Sequence, residues 1–320
     1  MKNNIAFWSY GTHLKTRVIP SIKKNKNIIP KAILSKKNKE IKKNQYLKNI
    51  KIYSDKKKFL SNDTYDTIYI SSVNSNHFKN CIDALTYNKN IICEKPIALK
   101  PKEVKKILNL ARKKKLTVHE MFQYTFHPLF LEVKKILRKN ILGKLKFVES
   151  KFTIPLNDKN NFRFQKSLGG GSLNDSGIYP LSLNIFLFNN LNPKILKSKI
   201  IISKKNKIDL MGSILIKKNN LLFNQEWGFN LDYQNYLKIF GSKGEMIANF
   251  IFSKKINQIG IIKIKIKNNK SIIKTKKANQ INLAFNNYLN KKNTYLDNKK
   301  ILSLSQLIYK TNLVSKKIKR

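Results

Sequence analysis

The residues able to do chemistry in this sequence fall in two short segments. The apolar run Ile91-Ile92-Cys93 ends on Glu94-Lys95-Pro96. This places the Lys95 ammonium at the carboxyl edge of a buried parallel strand, where open α/β sheets bind ligands, with Pro96 restricting the backbone beside it. Any one lysine among 66 basic residues is ordinary; its position is what singles Lys95 out. The second segment opens with Gly169-Gly170-Gly171, three of only 11 glycines, followed by a helical stretch carrying Asp175 and Tyr179 four residues apart. That spacing projects both side chains from one helix face. Consecutive glycines mark backbone that turns with φ > 0 or comes close to something; a tight turn is the plain reading, a turn beside a ligand the favoured one. A lone Asp/Tyr pair carries little information, but after a triple glycine, and with Lys95 available, the pair becomes a candidate site.

The elements that must position these groups differ between the two parts of the chain. Ile5–Trp8, Ala32–Leu34, Ile68–Ile70, Ile91–Cys93 and Leu116–Val118 are short apolar runs without alternation, as expected of a buried parallel sheet. Between them, Phe78, Cys81, Ile82 and Leu85, then Val104, Ile107, Leu108 and Ala111, recur with helical spacing, and Pro101 stands where a helix can begin. Beyond residue 120 the runs lengthen and alternate: Phe147–Phe152, Ile200–Ile202, Ile208–Ile216, Leu221–Trp227, Tyr236–Phe240 and Ile261–Ile266. Helices are expected at Pro128–Arg138, Asp175–Phe188 and Leu302–Lys316. The reading is an α/β chain with a Rossmann-type doubly wound parallel sheet in residues 1–120, and an α+β domain with a large, mostly antiparallel, open-faced sheet in residues 121–320.

The turn after the first strand, Ser9-Tyr10-Gly11-Thr12-His13-Leu14, occupies the place of a Gly-x-Gly-x-x-Ala dinucleotide fingerprint. Gly11 keeps the glycine that lets backbone approach a pyrophosphate at the helix N-terminus. Ser9 replaces the tight-turn glycine and Leu14 the small residue of the helix–strand contact, so an ordinary strand–turn–helix stays open as the alternative. The second strand ends Leu34-Ser35-Lys36-Lys37. A hydroxyl and ammonium groups, in place of a ribose-binding carboxylate, favour NADP over NAD.

Asn90–Leu99, with its Glu94-Lys95-Pro96, resembles the signature of the Gfo/Idh/MocA oxidoreductases, the family of glucose–fructose oxidoreductase, inositol dehydrogenase and dihydrodiol dehydrogenase. Tyr69–His77 resembles the turn after the family's fourth strand, with Val73 in place of the usual proline. His119–Pro128 resembles the crossover into the second domain, with Thr125 where many members carry arginine. Phe162-Arg163 and Gly169–Pro180 resemble the glycine-rich loop and catalytic helix, and Phe240–Gly244 a Gly-x-x-Gly hairpin. The resemblance runs in register from residue 5 to about 250. It implies hydride transfer between a nicotinamide cofactor and an alcohol or ketone carbon of a sugar-like substrate, including nucleotide-linked or phosphorylated sugars. By resemblance, Ser9, Gly11, Thr12, His13, Ser35, Lys36, Ser72, Asn74, His77, Glu94 and Lys95 meet the cofactor. Lys95, Arg163, Asp175 and Tyr179 meet the substrate. Tyr179 becomes the general acid/base; a phenol titrates near pH ~10, so an ammonium such as Lys95 must favour its ionised form. Asp175 orients the substrate, Arg163 holds a substrate or cofactor oxygen, and Glu94 supports the loop. His77 is read equally as a structural residue opening its helix.

Composition narrows the alternatives. A formal net charge of +49 points to nucleic acid or another polyanion. Arginine, however, occurs only at Arg17, Arg112, Arg138, Arg163 and Arg320, and lysine is spread end to end with Asn and Ile. A dedicated reader of phosphates and bases would use more arginine, so compositional drift over solvated surfaces is the preferred explanation. A polyanion binder would concentrate its charge on one face and lose affinity steeply with salt; a catalytically silent relative would explain Ser9, Leu14 and Thr125. Four histidines without zinc spacing imply no metal. Cys81 and Cys93 suit a reducing cytoplasm and Cys93 reads as a packing residue; Trp8 and Trp227 read as core or interface aromatics. No apolar stretch is long enough for membrane insertion, and the open sheet face implies a homodimer or homotetramer.

Overall fold

Apolar runs that do not alternate must be covered on both faces, and the first part of the chain meets that condition with a parallel sheet between helices. The computed structural model describes residues 2–156, 158, 160–290 and 295–319. Its first sheet comprises β1 (Asn3–Trp8), β2 (Ile28–Leu34), β3 (Lys51–Tyr53), β4 (Thr67–Ile70), β5 (Asn90–Glu94) and β6 (Val118–Met121), in the order β3-β2-β1-β4-β5-β6. All five pairings are parallel. The order reverses direction between β2-β1 and β4, which opens a crevice at the carboxyl ends of β1 and β4. Helix α1 (Asn74–Thr86) buries His77, Cys81, Ala84 and Leu85, and α2 (Pro101–Lys113) buries the predicted Val104, Ile107, Leu108 and Ala111.

The second sheet has nine strands in the order β14-β13-β12-β11-β7-β10-β9-β8-β15. They are β7 (Leu145–Ile154), β8 (Lys194–Ile202), β9 (Asp209–Lys218), β10 (Leu221–Phe229), β11 (Gln234–Gly241), β12 (Gly244–Asn249), β13 (Ile261–Ile266), β14 (Asn269–Lys274) and β15 (Lys316–Lys319). Only β7–β10 and β8–β15 run parallel. Ile262 and Ile264 face inward between exposed Lys263 and Lys265, the alternation expected of a half-covered strand. Helices α3 (Pro128–Arg138), α4 (Ile178–Phe186), α5 (Gln280–Asn290) and α6 (Tyr295–Val314) complete the chain.

These elements form two compact units, Met1–Phe122 with Ile281–Ile301, and Gln123–Gln280 with Leu302–Arg320. The second is therefore not the continuous 121–320 of the sequence reading: α5 returns to the first unit. Phe285 packs on Tyr69 at 5.1 Å, and Asn25 Nδ2 donates to Asn282 Oδ1 and Asn286 Oδ1 at 2.7 Å. Other boundaries also move. The strand expected at Leu116–Val118 is β6, Val118–Met121, shifted because His119 and Glu120 are polar yet buried. The helix expected at Asp175–Phe188 is a π-turn, Leu173–Gly177, continued by α4. The closing helix ends at Val314 instead of reaching Lys316, and the exposed Lys-Lys-Ile-Lys that follows pairs as edge strand β15. Among the described residues no helix is long and apolar enough to cross a membrane.

A buried indole packs the second unit's π-turn, Leu173–Gly177, against its sheet. Trp227 on β10 is 1% exposed, opposite Gly212 of β9. A Cβ at Gly212 would lie 2.4 Å from one edge of the ring, and a Cβ at Gly177 2.8 Å from another. Overpacking of this kind costs about 1–3 kcal/mol. Gly212→Ala should lower the unfolding free energy by about that amount in a urea titration; an unchanged midpoint would show that the indole moves aside freely.

Candidate active site

The nucleotide turn begins where β1 ends. Ser9 N–H donates to Leu34 O at 3.0 Å and Ser9 adopts φ 89°, so it makes the left-handed turn that the fingerprint assigns to glycine. For a serine this conformation costs on the order of 1 kcal/mol. Gly11 follows; a Cβ there would meet only Ser71 O, at 3.9 Å, so the face of this peptide is open. The helix starts as a π-turn, Leu14–Val18, with Leu14 fully buried in place of the small residue. Ser71 Oγ, at the carboxyl end of β4, is buried without a hydrogen-bond partner. An open glycine backbone at a helix N-terminus is what a pyrophosphate needs at this edge, and the unsatisfied Ser71 hydroxyl lies at the neighbouring strand end. At the end of β2, Ser35 Oγ accepts Lys37 N–H at 3.1 Å and Lys36 is exposed. Lys37 and Lys15 share the single carboxylate of Glu40, at 3.8 and 3.6 Å. Two ammonium groups on one carboxylate leave local positive charge, and Lys15 was not legible as part of this group from the sequence.

The Lys95 loop is gripped from several directions within the first unit. Glu94 Oε1 accepts Tyr69 OH at 2.5 Å and lies 3.1 Å from His13 Nε2. Burial opposes ionisation of Glu94, but the His13 charge and hydrogen bond, the Tyr69 hydroxyl and the Lys95 charge together outweigh it and lower its pKa. His13, Glu94 and Tyr69 thus form one hydrogen-bonded group. Pro96, joined to Lys95 by a cis peptide, has its carbonyl 2.8 Å from His77 Nδ1. His77 Nε2 lies 2.9 Å from Ser72 O, and Asn80 donates to Ser72 Oγ at 2.9 Å. Burial lowers the His77 pKa against the opposing hydrogen bonds to the Pro96 and Ser72 carbonyls. Both ring nitrogens lie within hydrogen-bonding distance of backbone carbonyls, so the His77 ring stands between the Pro96 turn and the Ser72 backbone. Asn74 is buried at the start of the same helix, and Thr12 is exposed beside Gly11. Glu120 Oε1 accepts Ile97 N–H at 2.9 Å, a support the sequence reading missed although a charged residue inside an apolar strand was its signal.

In the second unit Arg163 Nε donates to Asp175 Oδ2 at 2.6 Å, so these two predicted substrate residues hold each other. Asn161 Oδ1 accepts Arg163 N–H at 3.2 Å. What comes close to the three glycines is the chain itself. Gly170 and Gly171 N–H donate to Gln165 O and Arg163 O, Gly169 and Gly171 have φ 77° and 122°, and a Cβ at Gly171 would lie 2.3 Å from Asp209 Oδ1. The close approach first read as a ligand's is made by Arg163 and Asp209. Asp209 Oδ2 accepts Ser172 Oγ at 2.6 Å and Leu173 N–H at 2.5 Å, which anchors the π-turn bearing Asp175. Tyr179 is 7% exposed among Phe152 at 5.0 Å, Phe252 at 5.8 Å and Tyr124 at 6.0 Å. Its carbonyl accepts Ser182 Oγ at 2.6 Å, and that hydroxyl pairs with Tyr124 OH at 2.5 Å. Lys95 belongs to the first unit and Arg163, Asp175 and Tyr179 to the second. Among the described residues no group of three His, Cys, Asp or Glu could hold a metal ion.

Asp209→Ala leaves a hydroxyl and an amide unpaired. At about 1–3 kcal/mol for each orphaned group, unfolding free energy should fall by about 2–4 kcal/mol. Asp209→Asn should recover about half in the same urea titration; an Ala variant as stable as the native chain would remove the anchor from the account.

Comparison with known proteins agrees with this geometry. Residues 10–122 match the model described as an oxidoreductase family with an NAD-binding Rossmann fold, and residues 130–247 match the GFO/IDH/MocA C-terminal domain. A trans-1,2-dihydrobenzene-1,2-diol dehydrogenase of Danio rerio is 32% identical over 129 residues, 40% of this chain and 38% of its own. A dTDP-3,4-didehydro-2,6-dideoxy-alpha-D-glucose 3-reductase of Saccharopolyspora spinosa is 25% identical over 212 residues, 66% and 63% of the two chains. The match therefore spans about 38% to 63% of these curated relatives. A 3-ketoreductase from Actinomadura kijaniata, solved with NADP and TDP-benzene, superposes over 100% of both chains with a TM-score of 0.95 at 17% identity. Solved forms of that ketoreductase include a Tyr→Phe and a Lys→Ala variant. With residues 10–122 matched by one of its domain models and 130–247 by the other, the chain belongs to the Gfo/Idh/MocA oxidoreductase family.

Proposed function

We propose that this chain is an NADP-dependent oxidoreductase acting on an alcohol or ketone carbon of a sugar or sugar derivative, a nucleotide-linked sugar being the class its relatives favour. The observation that carries the reading is the Lys95 loop: an ammonium at the carboxyl edge of a parallel sheet, with Glu94, His77 and Glu120 all spent on holding the backbone beside it. Open peptide at Gly11 and the unpartnered Ser71 hydroxyl support a dinucleotide at the neighbouring strand ends. Bound NADP would supply the hydride acceptor, and NADPH the donor. Ser35, Lys36 and the Lys15/Lys37 pair would bind the 2′-phosphate, for which positive charge replaces the carboxylate of an NAD site.

The protein's own groups handle the proton. Tyr179 serves as general acid/base for the substrate hydroxyl. Its phenol lies among aromatic rings, where an anion is poorly solvated, so the reaction needs a cation to favour phenolate; Lys95 is the residue assigned to that task. Asp175, held at a fixed orientation by Arg163, accepts a hydrogen bond from a second hydroxyl of the substrate. Arg163 is thereby a positioning residue first and a substrate contact second. The exposed Leu196, Ile261, Ile272 and Ile318 on the second sheet support a homo-oligomer, and two buried free thiols suit a reducing compartment.

Turnover should be measured as NADPH oxidation against a panel of free, phosphorylated and nucleotide-linked keto-sugars. Lys95→Ala and Tyr179→Phe should each lower kcat by about 10²–10⁴-fold, the range of general acid–base catalysis, with NADPH affinity for Tyr179→Phe unchanged. Native turnover in both variants would overturn the assignment. Cofactor binding without turnover of any carbonyl or alcohol would favour a catalytically silent relative.

A further inference from the structure

Glu120 is a buried carboxyl that the proposed reaction does not use. It lies on β6 with 7% of its surface exposed, opposite Cys93 in the parallel register of β5 and β6. A carboxyl in such a place is costly unless it is hydrogen-bonded or paired. Its Oε1 takes the Ile97 amide, two residues beyond Lys95, at 2.9 Å. Its own carbonyl accepts Tyr288 OH from α5 at 2.9 Å, and the Tyr288 ring stacks on His119 at 4.5 Å. β6 is therefore tied to the returning helix, and from it the Glu120 carboxyl reaches the Ile97 end of the Lys95-Pro96-Ile97 turn.

The amide of Ile97 does not require a charged acceptor; a neutral side-chain oxygen would satisfy it. An acidic group adds a charge near Lys95. Lys95 favours the ionised form of Glu120 and Glu94 disfavours it. From the other packed elements, the Cys93 thiol on β5 and the Tyr288 phenol on α5 also feel Glu120. Burial raises both, so neither carries charge at neutral pH. Glu94 already shares its charge with His13 and Tyr69.

We propose that Glu120 is a positioning residue for Lys95: it fixes the Lys95-Pro96-Ile97 turn through the Ile97 amide and, when ionised, holds the Lys95 ammonium in its protonated form. This rests on the reading of Lys95 as a participant in the reaction. Burial lifts the Glu120 carboxyl to about 7. Below that pH the carboxyl is neutral and Lys95 loses the support; above it the negative charge appears and retains the lysine proton to higher pH.

The test is competitive acylation of the full chain with acetic anhydride across pH, read at Lys95 by peptide mass spectrometry with exposed Lys102 as internal reference. Glu120→Gln keeps an acceptor for Ile97 N–H but removes the charge. It should lower the half-point for Lys95 labelling by about one pH unit, about ten-fold more free amine at a fixed pH below it. Glu120→Asp should restore most of the difference. An unmoved half-point in Glu120→Gln overturns the proposal. Should that variant fail to fold, the native chain decides: Lys95 labelling relative to Lys102 should fall as pH rises through about 7, and a flat ratio overturns it. The pH profile of kcat is recorded in parallel. A shifted Lys95 half-point with an unshifted kcat profile leaves the coupling standing and removes Lys95 from the chemistry, so the two readings fail separately.

Discussion

The hydrogen bonds that close on the backbone beside Lys95 are the constraint on which the rest depends. A lysine on a loop is a mobile, strongly hydrated point charge on a flexible stem. Here its loop leaves β5 and is met by His77 on the Pro96 carbonyl, by Glu120 on the Ile97 amide, and by Glu94 tied to Tyr69 and His13. His77, Glu120 and Tyr69 are buried and Glu94 nearly so, and each would be costly there without its partner. The loop thus converts buried polarity into fixed geometry at the one sheet edge where a parallel α/β fold binds ligands.

The second unit solves a similar problem with different materials. Asp175 lies in a π-turn and Tyr179 on α4, the helix that continues it; such single π-turns within helices are frequent at functional sites. Asp209 anchors the start of that turn, and Trp227 fills the space that Gly177 and Gly212 leave for it. The aromatic group of Tyr124, Phe152 and Phe252 then surrounds the Tyr179 ring. Packing without voids is what fixes a single side-chain arrangement, and the proposed role of Tyr179 as acid/base depends on its phenol being so fixed.

Periodicity made much of this architecture legible. The apolar runs ending at Trp8, Ile70 and Cys93 and the helical spacing of Val104, Ile107, Leu108 and Ala111 gave β1, β4, β5 and the helix α2 directly. Failures occurred where local rules lose their signal. β6 was read early because its buried His119 and Glu120 find partners only in the folded chain, one of them on α5 far along the sequence. β15 is a lysine-rich edge strand with no buried residue, so no hydrophobic pattern marks it. Ser9 looked like an eroded glycine, yet its φ of 89° shows that the left-handed turn survives the substitution. The triple glycine was recognised as a place of close approach, but sequence could not say that the approaching group is Asp209, which sits in a Lys/Asn-rich stretch with nothing to distinguish it. Lys95, Asp175 and Tyr179 were proposed from their setting in the sequence, while Asp209, Glu120 and Lys15 make contacts that only the folded chain brings together.

Cofactor binding tests the central claim most directly, because open peptide at Gly11, the Ser71 hydroxyl and the basic end of β2 all converge on it. NADPH and NADH should be titrated into the native chain by nicotinamide fluorescence at low and high salt. The account predicts saturable binding that survives high salt, with NADPH bound more tightly than NADH. Absence of binding by either nucleotide, or binding that salt abolishes entirely, would contradict it and leave the +49 charge as the property to explain.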